Sequence, residues 1–291
     1  MDRFEHDGIE MAYEDQGGGP AILFLHNGGA SSTIWRHQTA VLSTSYRTVA
    51  VDLPGFGSSP RPAGGIDLDG QVDLLGGLID HLDLAPLLLV GNCMGSNIAA
   101  GIAARRPADV VGLVLVNPLT AATFSAGWLG PLHTLARRAP GPIRAGRRIA
   151  RRIVLPGVAA RAALRFQVGR KGRALGVHRD PALVAGNRRA DQLPALVDVL
   201  DDMDAYGALD AGRPDGGPPL CTIWGARNRV LSPRAGRALG DALGPERTEQ
   251  LGGCGHFPML EDPEAVTGIV ETFAAAHLPT GPAAAVNGHQ R

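Results

Sequence analysis

The segment Leu87-Leu88-Leu89-Val90-Gly91-Asn92-Cys93-Met94-Gly95-Ser96-Asn97-Ile98-Ala99-Ala100 sets a thiol between two glycines, where an apolar run meets a stretch of small residues. The Leu/Val run reads as a strand buried on both faces, and the small apolar stretch as a helix packed against a sheet. A strand that turns straight into a helix forces its turn residue into a strained backbone, and flanking glycines give the clearance. The side chain at the apex then stands above the sheet at a helix N-terminus, where a thiol can act as a nucleophile. The competing reading is a tight turn around a buried small thiol, since free Cys is among the most buried residue types. The choice depends on whether a base, an orienting group and oxyanion donors follow in the chain.

The elements that must hold these groups alternate. Residues 4–6 and 9–14 read as an opening hairpin around Asp7-Gly8. Ala21 to Leu25 is a buried strand ending in His26-Asn27-Gly28-Gly29-Ala30-Ser31-Ser32, with Ser31 or Ser32 placed to cap a helix over 33–42. Thr48 to Val51 ends in Asp52-Leu53-Pro54-Gly55-Phe56-Gly57-Ser58-Ser59, and a polar helix over 69–82 leads to the elbow strand. After the elbow helix, Val110 to Val116 is again a buried strand closed by Asn117-Pro118. Strands alternating with helices argue for a parallel sheet covered on both faces. From Leu119 to Gly217 the patterning is helical, and the strand rhythm resumes at Leu220-Cys221-Thr222-Ile223-Trp224. That interval reads as a helical cap over the carboxyl ends of the strands, where open α/β sheets place ligands. The organisation expected is therefore core over 1–118, cap over 119–217, core over 218–278 and a disordered tail over 279–291.

The 291 residues carry 28 basic and 28 acidic side chains, so overall charge argues against a nucleic-acid partner. The polar start has no signal-peptide core, and no apolar window is long enough to span a membrane. Three cysteines without paired spacing argue against a disulfide framework or a metal site, so a cytoplasmic enzyme without metal or cofactor is expected. Residues 137–173 hold about a dozen basic side chains and no acid, either as solvated helix faces or as a docking face for a phosphate-bearing carrier or coenzyme A.

From Gly8 to His277 the chain resembles the α/β-hydrolase superfamily with a helical cap. The motifs are the strand ending in His26 with its glycine-rich loop, Asp52-x-x-Gly55-x-Gly57-x-Ser59, the elbow at Cys93, Trp224-Gly225, and Gly255-His256-Phe257-Pro258 before a terminal helix. The Gly91-Asn92-x-Met94-Gly95 wording also resembles carbon-carbon bond hydrolases that cleave vinylogous diketones. The resemblance makes His256 the general base, and it makes the N–H of Met94, with that of Asn27 or Gly28, the oxyanion hole. His26 and Asp52 are expected to brace loops, and Cys221 and Cys254 to be packed residues.

The elbow of the family usually holds Ser, and here it holds Cys93. The usual acid position holds Asn228, and the alternative one, past the preceding strand, holds Asn117. A serine triad needs a carboxylate to stabilise the imidazolium, and Asp to Asn there costs ~10⁴ in rate. A thiol, with a pKa near ~8.5, can instead form a resting thiolate–imidazolium pair, whose third member needs only to accept the Nδ1 proton. Papain-like proteases use such a Cys-His-Asn set on an unrelated fold. Asn228 is therefore expected to orient His256 through its amide oxygen, with Asp204 or Asp210 as the carboxylates that could replace it. The activity expected is Cys-dependent acyl transfer on a small-molecule ester, thioester or lactone. The alternatives are an acyltransferase or cyclase acting on carrier- or CoA-bound acyl groups, and a catalytically silent binding module.

Overall fold

The strands are β1 (Asp2–His6), β2 (Ile9–Gln16), β3 (Ala21–Leu25), β4 (Arg47–Asp52), β5 (Leu87–Asn92), β6 (Val110–Val116), β7 (Leu220–Gly225) and β8 (Arg247–Leu251). In this computed structural model, which describes residues 1–128, 130–131, 153–213 and 216–279, they form one sheet in the order β1-β2-β4-β3-β5-β6-β7-β8. β1 pairs antiparallel with β2 and β2 with β4, and every later pairing is parallel. Asp7 (φ 50°) and Gly8 (φ 74°) both take left-handed conformations in the β1–β2 turn, the twist a two-residue hairpin requires.

The central strands bury both faces, which is why their sequences show unbroken apolar runs. Leu23, Leu25, Leu87, Leu89, Leu113 and Leu115 face one layer, covered by the helices Leu68–His81 and Met94–Arg105. Their neighbours Ile22, Phe24, Leu88, Val90, Val114 and Val116 face the other, covered by Arg36–Leu42 and Pro263–His277. Each buried aliphatic side chain contributes roughly 1.5–3 kcal/mol, so the layers hold the elbow strand from both sides.

The helix Leu68–His81 starts at Asp67, whose carboxylate accepts from the Gly70 N–H at 2.8 Å. The helix expected over 33–42 is split into a 3₁₀ turn, Ser32–Trp35, and an α-helix, Arg36–Leu42. Neither serine caps it: the Ser31 hydroxyl pairs with that of Thr33 at 2.7 Å, and the Ser32 N–H is held by Asp52 Oδ1 at 2.7 Å.

Between β6 and β7 the described residues form helices and no strand. Its residues 187–202 lie over the carboxyl ends of β3 and β4 and are pinned there. Asn187 Nδ2 donates to the Gly29 carbonyl at 3.0 Å, Arg61 grips Asp198 at 2.7 and 3.0 Å, and Asp202 accepts from the Leu68 N–H at 2.7 Å. Arg36 and Asp180 add an ion pair at 2.7 Å. Of the basic stretch, residues 137–152 lie outside the described residues, as do residues 280–291 of the expected tail. Lys171 is paired with Asp262. No helix among the described residues is long and apolar enough to cross a membrane.

Candidate active site

Cys93 sits between β5 and the helix Met94–Arg105 with φ 55° and ψ −114°, a strained backbone for a residue with a Cβ. Clearance decides why glycines flank it. A Cβ at Gly91 would run into the Gly95 carbonyl, and one at Gly95 into the carbonyl of Leu25. The thiol is 7% exposed. Burial pushes its pKa up to about 12, and the Met94 N–H beside the sulfur pulls the other way.

His256 reaches this elbow from the loop after β8. Its N–H donates to the Gln167 carbonyl of the cap at 2.9 Å, and its carbonyl accepts from Asn92 Nδ2 at 3.3 Å and Asn117 Nδ2 at 3.4 Å. The residue preceding Cys93 is thus tied directly to the backbone of His256. The imidazole is buried, which lowers its pKa from 6.5 to about 4. Asn117, the alternative acid position, spends its amide on backbone: its oxygen accepts from the Gly225 N–H at 3.0 Å. Asp210 accepts from the Ala122 N–H at 3.0 Å.

Asn228 faces the ring, with Nδ2 3.1 Å from His256 Nδ1. Its oxygen is engaged elsewhere, accepting from the N–H groups of Val230 at 3.0 Å and Leu231 at 3.1 Å. Backbone N–H groups only donate, so the atom they contact must be the oxygen, and the atom facing His256 must be the NH₂. Asn228 therefore donates to Nδ1, and the ring proton lies on Nε2. The polarity is the reverse of that expected from the sequence. Burial also disfavours the charged form of each group, which weighs against the resting thiolate–imidazolium pair expected from the sequence.

The other expected positions converge on this end of the sheet. Among the described residues, neither the Met94 nor the Gly28 N–H is spent on a backbone carbonyl. A Cβ at Gly28 would lie 3.0 Å from Leu196 Cδ2 and 3.2 Å from Met94 Sδ, which places this loop between the elbow and the cap. Asn27 bridges through its side chain, accepting from Asn92 Nδ2 at 3.1 Å and donating to the Gly28 carbonyl at 2.8 Å. His26 braces the loop, as its Nε2 accepts from the Leu53 N–H at 2.9 Å and its Nδ1 donates to the Asn27 carbonyl at 2.7 Å. Asp52 ties the end of this loop to the next one, accepting from the N–H groups of Ser32 and Ser58, each at 2.7 Å. Cys221 and Cys254 are buried, and burial pushes both thiols to about 12. A largely apolar cavity of about 660 Å³, lined by Val72, Ala104, Leu115, Leu209 and Leu243, contains none of Cys93, His256 or Asn228.

Three participants carried no sequence signal. Glu261 is a buried carboxylate that accepts from Gly169 at 2.7 Å and Gly172 at 3.3 Å in the cap, and from Gly255 at 2.9 Å and Phe257 at 3.2 Å in the His256 loop. It joins the cap to the loop that carries the imidazole. Burial raises its pKa, and the four N–H groups oppose the rise. Tyr206 is fully buried and accepts from Gln71 Nε2 at 3.4 Å; burial, and after it the negative charge of Asp202, raise its pKa. Gln192, also fully buried, lies over Gly29.

The model of the Alpha/beta hydrolase family matches residues 22–269. The chain belongs to this family. It is 27% identical over 284 residues to Haloalkane dehalogenase 2 of Mycobacterium tuberculosis, covering 93% of each chain. Among solved structures, the α/β-hydrolase fold is shared with a thermophilic esterase from Thermogutta terrifontis, at a TM-score of 0.74 and 22% identity, covering 95% of this chain and 99% of that one. It is also shared with a meta-cleavage product hydrolase from Pseudomonas fluorescens, at a TM-score of 0.76 and 20% identity, covering 95% and 98%.

Proposed function

We propose that this α/β-hydrolase transfers acyl groups from a small-molecule ester, thioester or lactone through an acyl-cysteine on Cys93. The observation that carries the reading is the thiol at the apex of a strained elbow, with the Met94 N–H against it and the Asn228–His256 contact behind it. Sγ attacks the carbonyl carbon, the thiol proton passes to His256 Nε2, and the oxyanion is held by the N–H groups of Met94 and Gly28 or Asn27. His256 then protonates the departing oxygen or sulfur, and water attacks the thioester. An alcohol or amine on the substrate or on a carrier- or CoA-bound group would divert the same intermediate to transfer or cyclisation.

The first proton transfer needs Nε2 bare, whereas Asn228 at rest holds the proton there. The thiol is thus unactivated until the carboxamide turns, and acylation is slow at neutral pH. The same polarity favours a second reading, a silent relative that binds acyl compounds without turning them over. Intact-protein mass spectrometry with 4-nitrophenyl acetate separates them. The acyl-transfer reading expects a 4-nitrophenol burst that rises from pH 7 to 9, with one acetyl group mapped to Cys93 and neither signal in Cys93→Ala. A wild-type protein that stays unacylated at pH 9 leaves the binding module.

A further inference from the structure

We propose that Gln192 reads the acyl chain, and that the substrate carries a carboxamide about three bonds from its reacting carbonyl. The inference rests on the acyl-transfer reading above. The Gln192 side chain is fully buried, and among the described residues neither its Nε2 nor its Oε1 has a partner. A buried polar atom left unpaired typically costs about as much as the hydrogen bond it lacks, so two in one side chain mark a place that a ligand completes.

Its position says which part of the ligand. Nε2 lies 3.2 Å from where a Cβ of Gly29 would stand, so the amide rests on the residue following Gly28. Consecutive Cα atoms are ~3.8 Å apart, the reach of about three bonds of an acyl chain from the oxyanion donor. Leu196, one turn further along the same helix Gln192–Asp201, comes within 3.0 Å of the Cβ position at Gly28, so this helix face looks onto the oxyanion loop. The nearby Gly29 carbonyl accepts from Asn187 at 3.0 Å and not from Gln192. Arg61 on Asp198 and the Leu68 N–H on Asp202 hold the helix down, so the amide stays in place.

A carboxamide offers a donor and an acceptor along one edge, and only a group with the complementary pair on one edge satisfies both. Another carboxamide does this, whereas an ester or ketone oxygen meets the donor alone. An acyl donor of the succinamoyl type meets both.

The test compares 4-nitrophenyl succinamate with 4-nitrophenyl 4-methylpentanoate, its all-carbon counterpart, each corrected for spontaneous release. Wild type should favour the succinamate by about 10- to 100-fold in kcat/KM. Gln192→Met should erase that preference, with the loss falling on the KM of the succinamate far more than on the 4-methylpentanoate, and fold with an unlowered Tm. Absence of the preference in wild type, its persistence in Gln192→Met, or equal loss of both esters overturns the assignment. Thermal shift of Cys93→Ala with succinamide gives an arm that needs no turnover. A shift lost with Gln192→Met supports the site even if acyl transfer fails, and no shift, or one that survives, overturns it.

Discussion

Asn228→Asp replaces the NH₂ that faces His256 by an oxygen and leaves the shape of the side chain unchanged. In the native site the Asn228 oxygen is held by the N–H groups of Val230 and Leu231 at 3.0 and 3.1 Å, and Nδ2 faces the ring at 3.1 Å. For Nε2 to take the Cys93 proton, the ring must carry its own proton on Nδ1 and the carboxamide must present oxygen to it. Turning the amide sets an NH₂ against two buried backbone donors, at ~1–3 kcal/mol for each donor left unpaired, or about 2–6 kcal/mol together. At 1.36 kcal/mol per tenfold, that is roughly 30-fold to 10⁴-fold in the reactive population. An aspartate accepts from the ring and both N–H groups without turning, and it steadies the imidazolium. Alkylation of Cys93 by iodoacetamide, followed by mass spectrometry from pH 5 to 10, reads the difference. Wild type should react in proportion to hydroxide with no plateau in this range, as a thiol at about 12 requires. Asn228→Asp should react at least about 30-fold faster at pH 7 and level off near neutrality. A gain under threefold, or a wild-type thiol already alkylated rapidly at pH 6, would refute the tautomer argument.

His256 also sets a pH dependence of stability. Its pKa falls from 6.5 to about 4 on folding, so between these values the unfolded chain binds more protons and stability rises with pH. The drop from 6.5 to about 4 is worth about 3 kcal/mol, present in full above pH 6.5 and lost as pH falls to 4. Urea titrations should find a steeper rise over this window in wild type than in His256→Gln, where buried His26, lowered by the same cause, still contributes; equal slopes would count against a buried neutral imidazole. The raised pKa of Glu261 acts oppositely, with stability lost as pH rises through its folded value, and it is common to both proteins. Glu261→Gln turns an NH₂ toward two of the four backbone donors and should cost about 2–6 kcal/mol in urea unfolding, with trypsin cutting the cap sooner. A cost under about 1 kcal/mol would mean that Glu261 does not join the cap to the His256 loop.

The sheet was legible because its information is local. Unbroken Leu/Val runs specify strands buried on two faces, and the alternation that sends Leu89 to one layer and Val90 to the other follows from backbone geometry. The elbow was legible for the same reason, since Gly91, Cys93 and Gly95 meet their steric constraint within a few residues and one neighbouring strand. The loop-bracing roles of His26 and Asp52 followed from motifs that carry their partners close by. The expected serine cap on a helix over 33–42 is absent because Asp52, twenty residues away, claims the N–H of Ser32.

The chemistry of the site was decided at longer range. Sequence by itself determined which side chains are on offer: a thiol at the elbow, an imidazole on the last loop, and an amide that the structure sets against that imidazole. Tertiary structure decided what those groups do at rest. The orientation of an amide depends on which backbone donors surround it, and the Val230 and Leu231 N–H groups choose the direction for Asn228. Burial then withholds charge from both Cys93 and His256. The cap contributes Gln192 and the Glu261 contacts from segments whose spacing encodes only helix, because where a helix docks is settled by partners far along the chain.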